Sequence, residues 1–325
     1  MLLQDYHTVN ELETAGINAA HVKKLQAAGI CTVEGVLMTP RKKLTDIKGF
    51  SEAVASKVCD AANKISPINQ FKTANQVLHK RGKIVKITSG ASNLDEVLGG
   101  GIETGSLTEF YGEFRTGKTQ LCYTLSIACQ TDPEEGGGGG KVFWLDTEGT
   151  FNPERLQPIC DRFDIDYTAA LENILTLRLY TTDALLDAPR LLHAQIMEDQ
   201  ETGPFRLIIV DSVMALFRQD YSGRGELSAR QQALGQLLAN LKKIAETYNI
   251  AVVCTNQVTA NPDGSMFAAT AKPIGGNVLG HAMTTRVQLK KGRDNARYGK
   301  VIQGPNLAEA QCQFCIVEAG IQNED

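Results

Sequence analysis

At 325 residues and 42% hydrophobic content, the chain can bury the cores of about two domains, which excludes a disordered or fibrous polypeptide. No apolar run approaches the roughly 18 residues of a membrane-spanning helix, and the opening "MLLQDYHTVNELE" lacks the basic region of a secretory signal. The net charge of -4 does not by itself mark a nucleic-acid binder, yet basic clusters at 41–43, 79–86 and 290–300 leave that open, since phosphate contacts are local.

Residues 1 to about 65 carry helical periodicity broken at glycines. "INAAHVKKLQAAGICTVEGVL" places Val22, Leu25 and Ala28 on one face before Gly29 stops the helix. "LTDIKGFSEAVASKVCDAANKI" reads as a short helix, a tight turn at Lys48-Gly49, and Ser51 as the N-cap of a second helix. Such a hairpin can present backbone N–H groups to a phosphate backbone, or serve as a plain helical bundle. Residues 66–87 are polar and basic and read as a linker in which Phe71 and Ala74 are apolar anchors, free to dock on a neighbouring subunit or on their own domain.

From residue 88 short apolar runs alternate with helical stretches. "SLTEFYG", "KVFWLDT", "FRLIIVDS", "NIAVVCTNQ" and "RVQLKKG" read as strands, and helices separate the first four. That alternation predicts an α/β fold with a mainly parallel, twisted sheet covered on both faces. "TDPEEGGGGGK" reads as a flexible connection, and "GKVIQGPNLAEAQCQFCIVEAG" as closing strands around a proline turn.

The segment Gly112-Glu113-Phe114-Arg115-Thr116-Gly117-Lys118-Thr119 matches G-x-x-x-x-G-K-[ST] between a predicted strand and a predicted helix that begins at Gln120. Glycines let backbone N–H groups close around phosphates, and the helix N-terminus adds positive potential. Lys118 is placed to reach the β- and γ-phosphates, and Thr119 to ligate magnesium opposite Asp211, which ends "LIIVDS". A nucleotide with Mg2+ is therefore the expected ligand. "VFWLDTEGTF" offers two carboxylates, Asp146 and Glu148, either of which could polarise an attacking water; strand alternation puts both on one face and does not choose. Asn256 and Gln257 end a further strand with amides able to meet a γ-phosphate.

"GEFRTGKTQL", "DTEGTF", "DYSGRGELSARQQ", "KPIGGN" and "HAMTTR" together resemble the eukaryotic RecA-like DNA strand-exchange recombinases over nearly the whole chain. The resemblance implies a RecA-like P-loop ATPase core at 88–325, a helical DNA-binding domain at 1–65, and a linker at 66–87 whose Phe71 and Ala74 match the F-x-x-A polymerisation motif. It implies that Glu148 activates water, that Gln257 senses the γ-phosphate, that Arg155 lies against adenine, and that His281 reads the nucleotide across a subunit interface. Arg218, Arg224 and Arg230 fall in or beside the first DNA-binding loop, and Pro262, Met266, Phe267 and Lys272 in the second. Arginines with a Met-Phe wedge suit single-stranded DNA, which is held by charge and apolar contact. The implied partners are single- and double-stranded DNA, further copies of the chain in rings or helical filaments, and recombination accessory proteins, in a nuclear setting with no membrane.

"GICTVEGVLMTP", "VMALFR" and Pro262 resemble the meiosis-specific branch, whereas "GIETGS" and "GELSARQ" are closer to the general mitotic one. Three positions depart from the family pattern: Asn152 stands for a usual arginine, Gln303 for a carboxylate that caps a neighbour's nucleotide, and "TAKP" for "DPKKP". A non-exchanging paralogue that assembles with ATP, and a helicase on the same core, are the competing readings. Eight cysteines without framework spacing suit a reducing compartment. Cys312 and Cys315 form a lone C-x-x-C, and Cys122 and Cys129 read as core packing.

Overall fold

The computed structural model describes residues 6–199, 202–223, 225–259 and 272–324. Arg224, Pro262, Met266 and Phe267 lie outside the described residues. No helix among those described is long and apolar enough to cross a membrane.

The N-terminal unit packs helices Ala19–Ala27, Val33–Leu37, Arg41–Thr45 and Glu52–Ile65 around Leu12, Leu25, Val36, Leu44 and Val58. Its hairpin follows the sequence. Gly49 adopts φ 86°, in the left-handed region that favours glycine, and the Ser51 hydroxyl accepts the Val54 N–H. Ala28 differs from expectation: Val22 and Leu25 are buried, but the helix ends at Ala27, so Ala28 leaves the apolar stripe and is exposed. The unit rests on the larger domain through an edge-to-face contact of Tyr6 with Tyr248, ring centroids 4.8 Å apart, and through Gly29 against Arg190.

Within 66–87 lies a helix the sequence does not announce, Ala74–Arg81. None of its residues is buried; a capping box holds its start, with Thr73 Oγ1 accepting from Gln76 N–H and Gln76 Oε1 accepting from Thr73 N–H. Phe71, just before it, is entirely exposed, as in part are Val77 and Leu78.

Among the described residues the larger domain carries eleven strands: β1 (Lys86–Ile87), β2 (Ile102–Glu103), β3 (Leu107–Gly112), β4 (Lys141–Asp146), β5 (Ile174–Arg178), β6 (Phe205–Asp211), β7 (Ala251–Asn256), β8 (Thr285–Lys291), β9 (Ala296–Gln303), β10 (Gln311–Val317) and β11 (Gly320–Gln322). β1 and β2 pair alone; the others form one sheet in the order β11-β10-β9-β8-β3-β7-β6-β4-β5. Pairing is parallel from β8 to β5 and antiparallel from β8 to β11. β3 and β7 are buried along their whole length because helices cover both faces. Alternation divides each strand between two cores: Trp144 and Ile209 pack with Leu121 and Leu125, while Phe143, Leu145 and Ile208 pack with Leu234 and Leu241.

One expectation is corrected. The glycine run at 136–140 is packed, not a free connection: Gly138 and Gly140 N–H groups donate to Cys129 O, and a Cβ on Gly137 would meet Thr131 O at 2.1 Å. The C-x-x-C pair lies in β10, where a spacing of three turns the side chains to opposite faces; Cys312 Sγ contacts Gly299 O and Cys315 Sγ contacts Asn323 O. Among the described residues no group of three or more His, Cys, Asp or Glu side chains is placed to hold a metal. Cys122 and Cys129 are both fully buried, as packing requires.

Candidate nucleotide-binding and hydrolytic site

The carboxyl ends of β3, β4, β6 and β7 open onto a cleft of about 870 Å³, lined by Gly112–Arg115, Gly117–Gln120, Glu148, Asp211, Gln257 and further residues. Its floor is the turn from β3 into the helix Lys118–Ala128. Gly117 takes φ 99° at the helix N-cap, where no side chain caps the first N–H groups, so these remain available to an anion. Gly112 is required by space, since a Cβ there would meet Leu289 O at 2.4 Å, and Gly117 by its left-handed backbone, φ 99°.

Lys118 Nζ donates to the carbonyls of Gly112 (3.0 Å) and Glu113 (2.8 Å), which places its charge inside the turn. Desolvation pushes its pKa down, against the pull of Asp211 and Glu148. Thr116 steadies the turn by donating to Glu113 O, while Phe114 projects into solvent with Arg115 over its ring. Thr119 Oγ1 donates to Asp211 Oδ2 at 2.8 Å, and Thr255 Oγ1 donates to Asp211 Oδ1. Burial raises the Asp211 pKa; these two hydroxyls oppose the rise, and Glu148 and Asp146 add to it.

The two carboxylates at the end of β4 have different surroundings. β4 ends at Asp146, so alternation no longer applies beyond it, and Asp146 Oδ1 turns back to accept the N–H groups of Glu148, Gly149 and Thr150 at 3.1, 2.7 and 3.3 Å. Glu148 faces the cleft. Its Oε1 accepts the Ser212 hydroxyl at 2.7 Å and the Gln257 amide at 3.1 Å. Gln257 Oε1 in turn accepts Arg218 Nη1 at 3.1 Å, which ties the cleft to the helix Ala215–Asp220.

Other residues singled out in the sequence lie elsewhere. Arg155 Nε donates to Gln120 Oε1, and its Nη atoms donate to Val317 O and Glu318 O; it is not among the residues lining the cleft. His281 is exposed on the helix Gly276–Ala282 and also does not line it. Arg230 is partly buried on the helix Leu227–Tyr248, and Lys272 is exposed, its carbonyl accepting Thr259 N–H at 3.0 Å. Asn152 caps a single 3-10 turn by accepting Glu154 N–H, and Gln303 donates to Met283 O at 3.0 Å. Sequence reasoning missed Ser212 and Ile316 as cleft residues, and noted Lys291 and Arg297 only within the basic cluster at 290–300. The first follows a recognised aspartate directly; the other three come from the antiparallel edge, which carries no motif.

This geometry accompanies a match of residues 80–324 to the Rad51 family model. The chain belongs to the Rad51 family. Residues 12–64 of this Rad51-family chain also match the SAM-like Helix-hairpin-helix tandem model. It is 51% identical over 315 residues to the DNA repair protein RAD51 homolog 1 of Arabidopsis thaliana, covering 96% of this chain and 91% of that protein. It is 49% identical over 317 residues to the Meiotic recombination protein DMC1 homolog of Lilium longiflorum, covering 97% and 89%. The same identity holds over 320 residues to DMC1 homolog B of Oryza sativa subsp. japonica, covering 98% and 91%. The Rad51-family chain is thus a eukaryotic RecA-like recombinase, a DNA-dependent ATPase of the strand-exchange class, with the α/β core and helical domain of that class.

Proposed function

We propose that the cleft takes ATP with magnesium, that Glu148 activates the hydrolytic water, and that the bound nucleotide governs a filament of this chain on single-stranded DNA. One observation carries the hydrolytic part: Glu148 alone of the two carboxylates at the end of β4 faces the cleft, hydrogen-bonded by Ser212 and Gln257. In the reaction, the water oxygen bonds the γ-phosphorus as its proton passes to Glu148, and the bond to the bridging oxygen breaks to leave ADP and phosphate. Gln257 is assigned to sense the γ-phosphate.

The residues present fit magnesium. A Thr hydroxyl and one Asp carboxylate 2.8 Å apart beside uncapped helix N–H groups are a donor set this ion accepts, because it keeps several waters and takes substrate phosphate oxygens. Thr119 and Asp211 would hold it, and it would neutralise charge developing between the β- and γ-phosphates.

Arg218, Arg224 and Arg230 are assigned to one DNA-binding loop, and Pro262, Met266, Phe267 and Lys272 to a second. Phe71 and Ala74 are assigned to self-association: a wholly exposed phenylalanine beside a capped helix with no buried face is suited to a socket on another copy. Phe71→Glu is expected to leave a monomer or short oligomer by light scattering; assembly indistinguishable from the unmodified protein would remove that role. His281 and Arg155 keep their sequence-based assignments, to the nucleotide across the interface and to the adenine. We place the activity in the nucleus, with accessory recombination proteins as partners, and favour the meiotic branch on "GICTVEGVLMTP", "VMALFR" and Pro262; the relatives at 49–51% identity include both branches.

The test is exchange between circular single-stranded DNA and homologous linear duplex, with ATP, ADP and a non-hydrolysable analogue in parallel. Joint molecules with ATP and the analogue but not ADP are expected. Binding of ATP and DNA without exchange would favour an assembly paralogue, with Gln303 as first suspect: its amide donates to Met283 O, a contact a carboxylate could not make.

A further inference from the structure

Glu148 is already hydrogen-bonded within the protein. Its Oε1 accepts from Ser212 and from Gln257, and the second contact depends on which way the Gln257 amide points. Arginine donates and never accepts, so with Arg218 Nη1 at 3.1 Å the facing atom of Gln257 must be its oxygen. The amide nitrogen is thereby directed at Glu148.

Arg218 has the freedom to leave this contact. Its side chain is exposed, while the neighbouring Leu216 and Phe217 are buried and fix the helix beneath it. Asp220, two residues on, is engaged by Thr182 N–H at 2.7 Å. Among the described residues Arg218 has no carboxylate partner; a neutral amide oxygen is its only hydrogen-bond acceptor. A phosphate offers a guanidinium an opposite charge and a bidentate pairing, neither of which a single neutral amide oxygen supplies.

We propose that Arg218 is a positioning residue for hydrolysis: without DNA it orients Gln257 so that the amide occupies Glu148, and a DNA phosphate that captures Arg218 frees Gln257 to turn and Glu148 to take a water. The inference rests on Glu148 being the water-activating group. It makes the same arginine a restraint on hydrolysis in the absence of DNA and a DNA contact in its presence.

The test is steady-state ATP turnover of Arg218→Ala and Arg218→Lys, without DNA and across a titration of single-stranded DNA. Arg218→Ala is expected to raise DNA-free turnover about three- to tenfold, the range one lost hydrogen bond permits, and to shrink stimulation by saturating DNA correspondingly. Arg218→Lys, which still only donates, is expected to restore low DNA-free turnover. An arginine that merely binds DNA gives a different result: DNA-free turnover unchanged in Arg218→Ala, with only more DNA needed for half-stimulation. That result would overturn the proposal. Failure of the hydrolytic reading is distinguishable, because Glu148→Gln would then turn over ATP about as fast as the unmodified protein. The replaced side chain is exposed, so the core stays intact in both variants.

Discussion

Lys118→Arg is expected to hold nucleotide within about tenfold of the unmodified affinity yet hydrolyse ATP about a hundred- to a thousandfold more slowly, the cost of one misplaced electrostatic contact to the reacting phosphate. The ammonium of Lys118 sits within hydrogen-bond reach of two carbonyls of its own turn, under a backbone that admits no Cβ at Gly112. A planar guanidinium is broader and presents its donors in a fixed fork, so it keeps the charge without the position. Desolvation already disfavours the bare ammonium there, which makes an entering phosphate a better partner than the carbonyls. Calorimetric ADP binding and phosphate release would be measured together; unaltered turnover would remove Lys118 from the chemistry.

Glu148→Gln should lose about a hundred- to ten-thousandfold of turnover, the span general-base catalysis contributes. Nucleotide affinity should hardly change. The amide oxygen of the variant can still accept from Ser212, but it cannot take the water's proton. The variant should therefore accumulate in its ATP-bound form and still produce joint molecules, a pairing of outcomes that separates loss of the base from loss of the fold. Turnover within threefold of the unmodified protein would pass the role to another group, with Asp146 excluded in advance by its four backbone contacts.

These expectations show where the sequence was readable. The phosphate turn was legible because its residue types and its strand-to-helix context are local, and the buried strands because both faces demand apolar residues. What stayed hidden depended on the chain departing from regular geometry, or on residues meeting from afar. Alternation could not rank Asp146 and Glu148, since β4 stops at the first of them. β5 escaped because its burial is patchy beyond Ile174. The helix Ala74–Arg81 has no apolar face to betray it, and its capping box is a polar signal inside a polar segment. Arg218 could be suspected of touching DNA, but 39 residues separate it from Gln257, and only the folded chain brings the two within hydrogen-bond distance.

The chain has one tryptophan, and its position has a practical consequence. Trp144 is fully buried in β4, four residues before Glu148; Tyr123 lies 5.0 Å and Phe151 4.9 Å from it by ring centroids. Tyr123 also donates to Thr150 O and accepts Asn152 N–H, so the aromatic cluster is bolted to the segment that carries Glu148. Any shift of that segment during the nucleotide cycle must alter the surroundings of a lone indole held in a dry interior. The fold thus contains its own fluorophore, reporting on the Glu148 segment without a dye and without interference from a second tryptophan.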